Sequence, residues 1–253
     1  LVNRLDNIQT KNNFLLVGQI TGINDKTDRK NIHNTIKSFI SAYKDNKDVG
    51  LIVKTNAGRS TKIDKYKTIS IIKNIINDIG KKEFPKIHIL HGDLTEQELY
   101  TLYTHEKVKY IVSATRGEGF GLPIFEAVYS GLPVVSINWG GQLDYLCMPT
   151  KQKNGKIKMK TMFETVSYDI RPVQKEAVWD SVIQKDSAWA FAREWDYKKA
   201  LKAVFKNTDM VESRAKKLQK HVLKNFSEDV IYEKMISHFS EEENAESSNV
   251  LTI

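Results

Sequence analysis

The chain has 253 residues, of which 40% are apolar and 28% charged; this suits a globular protein and excludes overall disorder. Basic residues outnumber acidic ones by 39 to 31, giving a net charge of +8, and four acids lie together in the tail (Glu241, Glu242, Glu243, Glu246), so residues 1–240 carry +12. A single cysteine, Cys147, excludes an internal disulfide framework and a zinc finger, and no apolar run approaches the ~18–20 residues a bilayer span needs.

The excess of base is a matter of lysine, 32 against 7 arginines, alongside abundant isoleucine and asparagine, the composition of an AT-rich coding sequence. Nucleic-acid surfaces favour arginine forks and interleaved rings, so no nucleic-acid partner is expected, although the +12 body leaves that reading open to a salt-dependence test. The one dense lysine stretch, Lys151 to Lys160, reads as a solvated loop or hairpin. The reduced cysteine points to the cytoplasm, and the start at Leu1 suits a trimmed piece of a longer chain.

In chain order, Phe14 to Gly18 is a short apolar run and reads as a buried strand. After a polar loop, Arg29-Lys-Asn31 opens a helix on which Ile32, Ile36, Phe39, Ile40 and Tyr43 recur at helical spacing. Val49 to Lys54 is a second strand. Ile63, Tyr66, Ile69, Ile72, Ile75, Ile76 and Ile79 predict a long amphipathic helix closed by Gly80. Ile87 to His91 is a third strand, and Thr95-Glu-Gln-Glu98 has the capping-box pattern of a helix running to about His105. Val108 to Val112 is a fourth strand, Pro123 and Gly131 bracket a short helix, and Leu132 to Ile137 is a fifth strand.

Strands alternating with helices call for a Rossmann-like α/β fold, a doubly wound parallel sheet covered on both faces. Residues 148–170 read as a loop-rich excursion, and three helical pieces follow from about Trp195 to Phe239. The predicted division is one domain over residues 1–226, a C-terminal helix over 227–240, and a frayed acidic tail over 241–253. Ligands of such sheets bind at the carboxyl ends of the strands.

The loop there with most chemistry is Thr115-Arg-Gly-Glu-Gly-Phe-Gly-Leu-Pro-Ile-Phe-Glu126. Its glycines allow close backbone approach, and the helix behind it offers amides to a phosphate. Leu122 breaks the dinucleotide fingerprint, and no Lys-Ser/Thr pair completes a Walker loop. A carboxylate beside a phosphate site repels its ligand unless it accepts from hydroxyls, so Glu118 and Glu126 together suit sugar hydroxyls on both sides of a diphosphate. The plainer alternative makes Glu126 a helix-dipole partner and Glu118 a solvated loop charge.

Glu118 to Glu126, with the strand ending at Gly18, Arg29-Lys-Asn31, Gly131 to Val135 and Trp139-Gly-Gly141 in that order, resembles the E-x7-E pattern of retaining glycosyltransferases of the GT-B fold, family 4 in particular. The resemblance implies the C-terminal, donor-binding half, with a missing N-terminal domain holding the acceptor site. It implies that Glu126 holds the donor ribose, that Glu118 contacts the transferred sugar, and that Gly119, Phe120, Gly121 and Leu122 line sugar and diphosphate. Lys30 would neutralise the leaving diphosphate, and Gly18 and Gln19 would lie beside it. The family's arginine after the first glycine is Gln19 here; Lys54 is the first substitute for its charge, followed by Arg116 and Arg59. No metal and no cofactor are implied, the nucleotide sugar being a substrate. The acceptor, whether glycan, lipid or protein, is left open, as is a peripheral membrane contact through the lysine-rich loops.

The alternative from a different class is a non-enzymatic nucleotide-sugar-binding module that keeps the fold. His88, His91, Asp25 and Asp28 carry no metal pattern, Cys147 reads as structural, and Trp179, Trp189 and Trp195 read as packing residues. The segment from Tyr168 to Ala190 is expected near the donor mouth, and Val230, Ile231, Met235 and Phe239 are expected to be partly uncovered.

Overall fold

A computed structural model describes residues 1–22, 24–80 and 83–247. Its centre is a six-stranded, all-parallel sheet in the order β3-β2-β1-β4-β5-β8, built from β1 (Asn12–Val17), β2 (Val49–Lys54), β3 (Lys86–Leu90), β4 (Val108–Ser113), β5 (Val134–Ile137) and β8 (Glu164–Val166). The crossover helices are α2 (Ile32–Tyr43), α3 (Lys62–Asp78), α4 (Glu96–Thr104) and α5 (Leu122–Tyr129). Both faces of the sheet are covered, which is why its central strands are apolar runs rather than alternating ones. Phe14 and Leu16 of β1 enter one core with α2 and α3, while Leu15 enters the opposite core with α4 and α5.

The capping box forms as its sequence predicts. Thr95 accepts from the Glu98 amide and the Glu98 carboxylate accepts from the Thr95 amide, starting α4. The stripe on α3 is shallower than its isoleucines suggest: Ile72 and Ile75 are buried, but Ile63 and Tyr66 are exposed. This helix covers a sheet edge, where there is too little surface to bury a full stripe.

The excursion after residue 147 is more ordered than expected. After the one-turn α6 (Leu143–Leu146), β6 (Cys147–Lys151) and β7 (Ile157–Thr161) make an antiparallel ribbon. Next, β8 adds the sixth strand beside β5, and β9 (Tyr168–Pro172) pairs with β10 (Ala188–Ala192). At three residues β8 is too short for periodicity to reveal.

The helices α7 (Glu194–Lys206), α8 (Thr208–Asn225) and α9 (Glu228–Ser247) close the chain, preceded at the other end by α1 (Val2–Asp6), which the sequence did not announce. The helix α9 takes in residues 241–247 of the tail expected to be frayed, and residues 248–253 lie outside the described part. Of the three tryptophans expected to pack, only Trp189 is buried, while Trp179 and Trp195 are exposed. Among the described residues no helix is long and apolar enough to cross a membrane.

Candidate functional site

The carboxyl edge of the sheet assembles its loops by backbone bonds between segments far apart in sequence. Beyond β1, the Gly18 amide donates to the Lys54 carbonyl (3.1 Å) and the Ile20 amide to that of Asn56 (2.9 Å). The turn before α2 is tied to the end of β4: the Arg116 amide donates to the Arg29 carbonyl (2.9 Å) and the Asn31 side-chain amide to the Ala114 carbonyl (2.9 Å). Asn31 takes a left-handed conformation (φ 57°), one that asparagine tolerates better than most residues. The buried Asp28 carboxylate accepts from the His33 amide (3.1 Å) and contacts His33 Nδ1 (2.9 Å), so Asp28 is part of this turn's frame.

This stitching brings Lys30 to Glu118. Lys30 Nζ lies 2.5 Å from Glu118 Oε1, and both side chains are mostly covered, at 20% and 12% exposure. Arg29, which the sequence offered only as part of a helix start, donates from Nη1 to the Gly117 carbonyl (2.6 Å) and lies 3.7 Å from Glu118. A cleft of about 560 Å³ opens beside the pair, lined by Gly18, Gln19, Lys30, Lys54, Arg59, Asp93 and Pro123. The structure therefore gathers five predicted residues, Gly18, Gln19, Lys30, Lys54 and Arg59, around one cavity. Burial pulls the Lys54 ammonium below the usual lysine range, and the Asp93 carboxylate partly restores it.

The motif loop is held by its neighbours. Gly121 is left-handed (φ 80°), a conformation in which a side chain is strained, and the Tyr145 hydroxyl lies 2.9 Å from the Phe120 and Gly121 carbonyls. The Gly141 amide donates to the Glu118 carbonyl (3.0 Å), and a Cβ on Gly141 would sit 1.7 Å from the Gly119 carbonyl oxygen. Phe120 and Leu122 are exposed beside the loop.

Glu126 lies across the first turns of α5, in a second cleft of about 310 Å³ with Leu99, Tyr103, Leu122, Phe125 and Tyr129. The Tyr103 hydroxyl donates to it at 2.9 Å. Burial raises the Glu126 pKa above the usual carboxylate range, and the Tyr103 bond offsets part of that rise. Nothing in the sequence marked Tyr103, because the contact joins two helices.

Arg116 corrects an expectation. It is 2% exposed, donates to the Lys26 carbonyl (3.0 Å) and to that of Asp25, and stacks against Trp189 and Phe191 at 5.3 and 4.6 Å. A guanidinium so engaged braces the loop and is not available to a phosphate in the cleft. The same contacts, with the Ala190 amide donating to the Arg116 carbonyl (3.0 Å), seat the β9–β10 hairpin against the motif loop. Among the described residues no group of three or more His, Cys, Asp or Glu side chains could hold a metal ion.

Fold and loop arrangement together define one Rossmann-like half of the GT-B class. The chain belongs to the family described as glycosyl transferases group 1, whose profile matches residues 8–155, from β1 through the motif loop into the β6–β7 ribbon. It is similar in structure to the C-terminal domain of the group 1 protein LpcC from Francisella tularensis (TM-score 0.57, 15% identity, covering 89% of this chain and 91% of that one). It also resembles Anabaena HepE, solved with UDP and glucose (TM-score 0.56, 13% identity, 91% and 49% covered). A third likeness is α,α-trehalose 6-phosphate synthase from Burkholderia multivorans (TM-score 0.63, 11% identity, 99% and 46% covered). At such identities the likeness establishes the fold alone, and the chain spans about half the length of the last two proteins. No curated protein matches the sequence.

Proposed function

We propose that this chain is the donor-binding half of a retaining glycosyltransferase, moving a sugar from a nucleotide diphosphate sugar to an acceptor hydroxyl in glycan or glycoconjugate synthesis. The observation that carries the reading is the meeting of Lys30 with Glu118 beside a cleft that also presents Gln19, Lys54 and Arg59. A cluster of cations supports a diphosphate, and a carboxylate next to it supports the hydroxyls of an attached sugar.

In this reading the incoming donor replaces the internal ion pair. Glu118 accepts from sugar hydroxyls, Lys30 turns to the diphosphate, and the amides of Gly119 to Leu122 lie along both. Glu126 accepts from the ribose diol, with Tyr103 holding the carboxylate in place. The glycosidic C–O bond to phosphate breaks as the acceptor oxygen bonds to the same carbon on the same face. The acceptor proton passes to the departing diphosphate, whose charge Lys30 and Lys54 stabilise. In this reading these side chains take the neutralising part, and no metal is included.

The acceptor site belongs, on this reading, to a second domain. The exposed apolar residues Ile231, Met235 and Phe239 of α9 support a docking face for it. Gln19, where the family has arginine, favours a second reading: a nucleotide-sugar-binding module without turnover.

Calorimetric titration with UDP, GDP, ADP and their sugar conjugates, beside Glu126→Ala, tests the reading. Saturable binding of one nucleotide, lost in the variant, is expected. Absence of binding to a folded chain, both alone and joined to its second domain, would sink it. Turnover by the joined form separates enzyme from module.

A further inference from the structure

The ribbon of β6 and β7 has no part in the donor site. Every residue from Pro149 to Lys160 is exposed. Lys151, Lys153, Lys156, Lys158 and Lys160 put five positive charges on ten residues, and no acid lies between Cys147 and Phe163. Among the described residues none of the five lysines is within 4.0 Å of a carboxylate. Other lysine-rich surfaces of this protein are mixed: on α8, Lys216, Lys217 and Lys220 share their patch with Asp209 and Glu212. The ribbon's charge is not compensated in that way.

The ribbon is also two-faced. Its register pairs Pro149 with Met159 and Lys151 with Ile157 on one face, and Met148 with Lys160 and Thr150 with Lys158 on the other. Ile157 is 73% exposed and Met159 55%. Two apolar side chains thus stand in water with Pro149, bordered by lysines, while Lys153 and Lys156 occupy the turn.

We propose that this ribbon docks the protein on an anionic lipid surface. Lys151, on the face of the apolar pair, and Lys153 and Lys156 of the turn meet the phosphate headgroups, Ile157 and Met159 enter the boundary between headgroups and acyl chains, and Lys158 and Lys160 on the far face add only longer-range attraction. A nucleic acid is the weaker fit. From Cys147 to Met162 there is no arginine to fork onto phosphate or base and no ring to stack, and a phosphate backbone gives the apolar pair nothing to bury against. The ribbon leaves α6, just after the Gly141 that packs on the Glu118–Gly119 backbone, and strands of this length reach about 17 Å. Docking would hold the carboxyl edge of the sheet close to the lipid surface. This inference stands whether or not the donor reading does.

The test is co-sedimentation of the whole chain with phosphatidylcholine vesicles and with vesicles of phosphatidylcholine and phosphatidylglycerol in equal parts. Binding is expected only to the second kind, falling steeply with salt. Replacing Lys151, Lys153 and Lys156 by Gln should lower the affinity roughly tenfold or more. The pair Ile157→Ser and Met159→Ser, which alters no charge, should lower it roughly threefold. An unchanged thermal midpoint shows that both variants fold. Three results would overturn the proposal: no vesicle binding, equal binding to both vesicle types, or an undiminished affinity in the lysine variant. A serine variant that binds like the parent while soluble polyphosphate or single-stranded DNA displaces it would also overturn it, assigning the ribbon to a soluble polyanion.

Discussion

In the proposed function Lys30 and Glu118 answer to different parts of the same ligand, so their variants should separate. Losing Lys30 removes a charge-assisted hydrogen bond of about 1.5–3 kcal/mol. Lys30→Ala is therefore expected to weaken nucleoside diphosphate and nucleotide sugar alike, by about ten- to a hundredfold in calorimetry. Glu118→Gln frees Lys30 from its 2.5 Å partner, so the bare diphosphate should bind as well or better while the sugar conjugate loses its advantage. Equal losses in both variants would refute this division of roles. Glu126 brings a pH dependence, because burial raises its pKa. With the folded value above the unfolded one, its contribution to stability is present in acid and lost as pH rises through the folded value. On the proposed reading ribose binding needs the ionised form, so the preference for a nucleoside diphosphate over its 2′-deoxy form should shrink as pH falls through the raised Glu126 value. Glu126→Gln should flatten that profile. Arg116 belongs to stability. Arg116→Ala removes two bonds to carbonyls and two ring contacts at a buried site, and an expected loss of about 2–4 kcal/mol should show as a lower thermal midpoint.

Among the elements, the motif loop and the Gly140–Gly141 turn act as one unit, because the Gly141 amide bonds the Glu118 carbonyl. Gly141→Ala puts a methyl 1.7 Å from the Gly119 oxygen, and a backbone neighbour cannot step aside as a side-chain tip can. The expected result is at least a tenfold loss of donor affinity, with unfolding moved by only about 1–3 kcal/mol. A wild-type affinity in that variant would show that the loop geometry does not matter to binding. The elements themselves were largely legible. The β2 run, the α4 capping box and the three C-terminal helices fall where the periodicity predicts, because each depends on residues within a few turns of one another. The stripe on α3 misled, since Ile63 and Tyr66 have the right spacing and no surface opposite them.

Over the whole molecule, burial on two faces explains the fold, and α9 explains what is left uncovered. Ile231, Met235 and Phe239 are exposed, so replacing them together by Ser should leave the chain's own unfolding midpoint nearly unchanged, within about 0.5 kcal/mol for each site. On the proposed reading the same replacement should weaken association with a second domain that carries the acceptor site. A large fall in the midpoint would show instead that α9 packs on this domain.

The amino-acid sequence by itself determined the parallel α/β order, the central strands and the loop that carries Glu118 and Glu126, because those features are periodic or contiguous. Only the tertiary structure decided which side chains meet at the site. Lys30 and Glu118 are 88 residues apart, and they touch because β1 and β4 are neighbours in the sheet, a pairing that local sequence does not encode. The same holds for Tyr103 on Glu126, for Lys54 at the cleft and for Arg116 away from it. Charge and chain position offer Lys54 first and Arg116 after it as phosphate partners, and it was packing against Trp189 and Phe191 that took Arg116 away from the cleft that Lys54 lines.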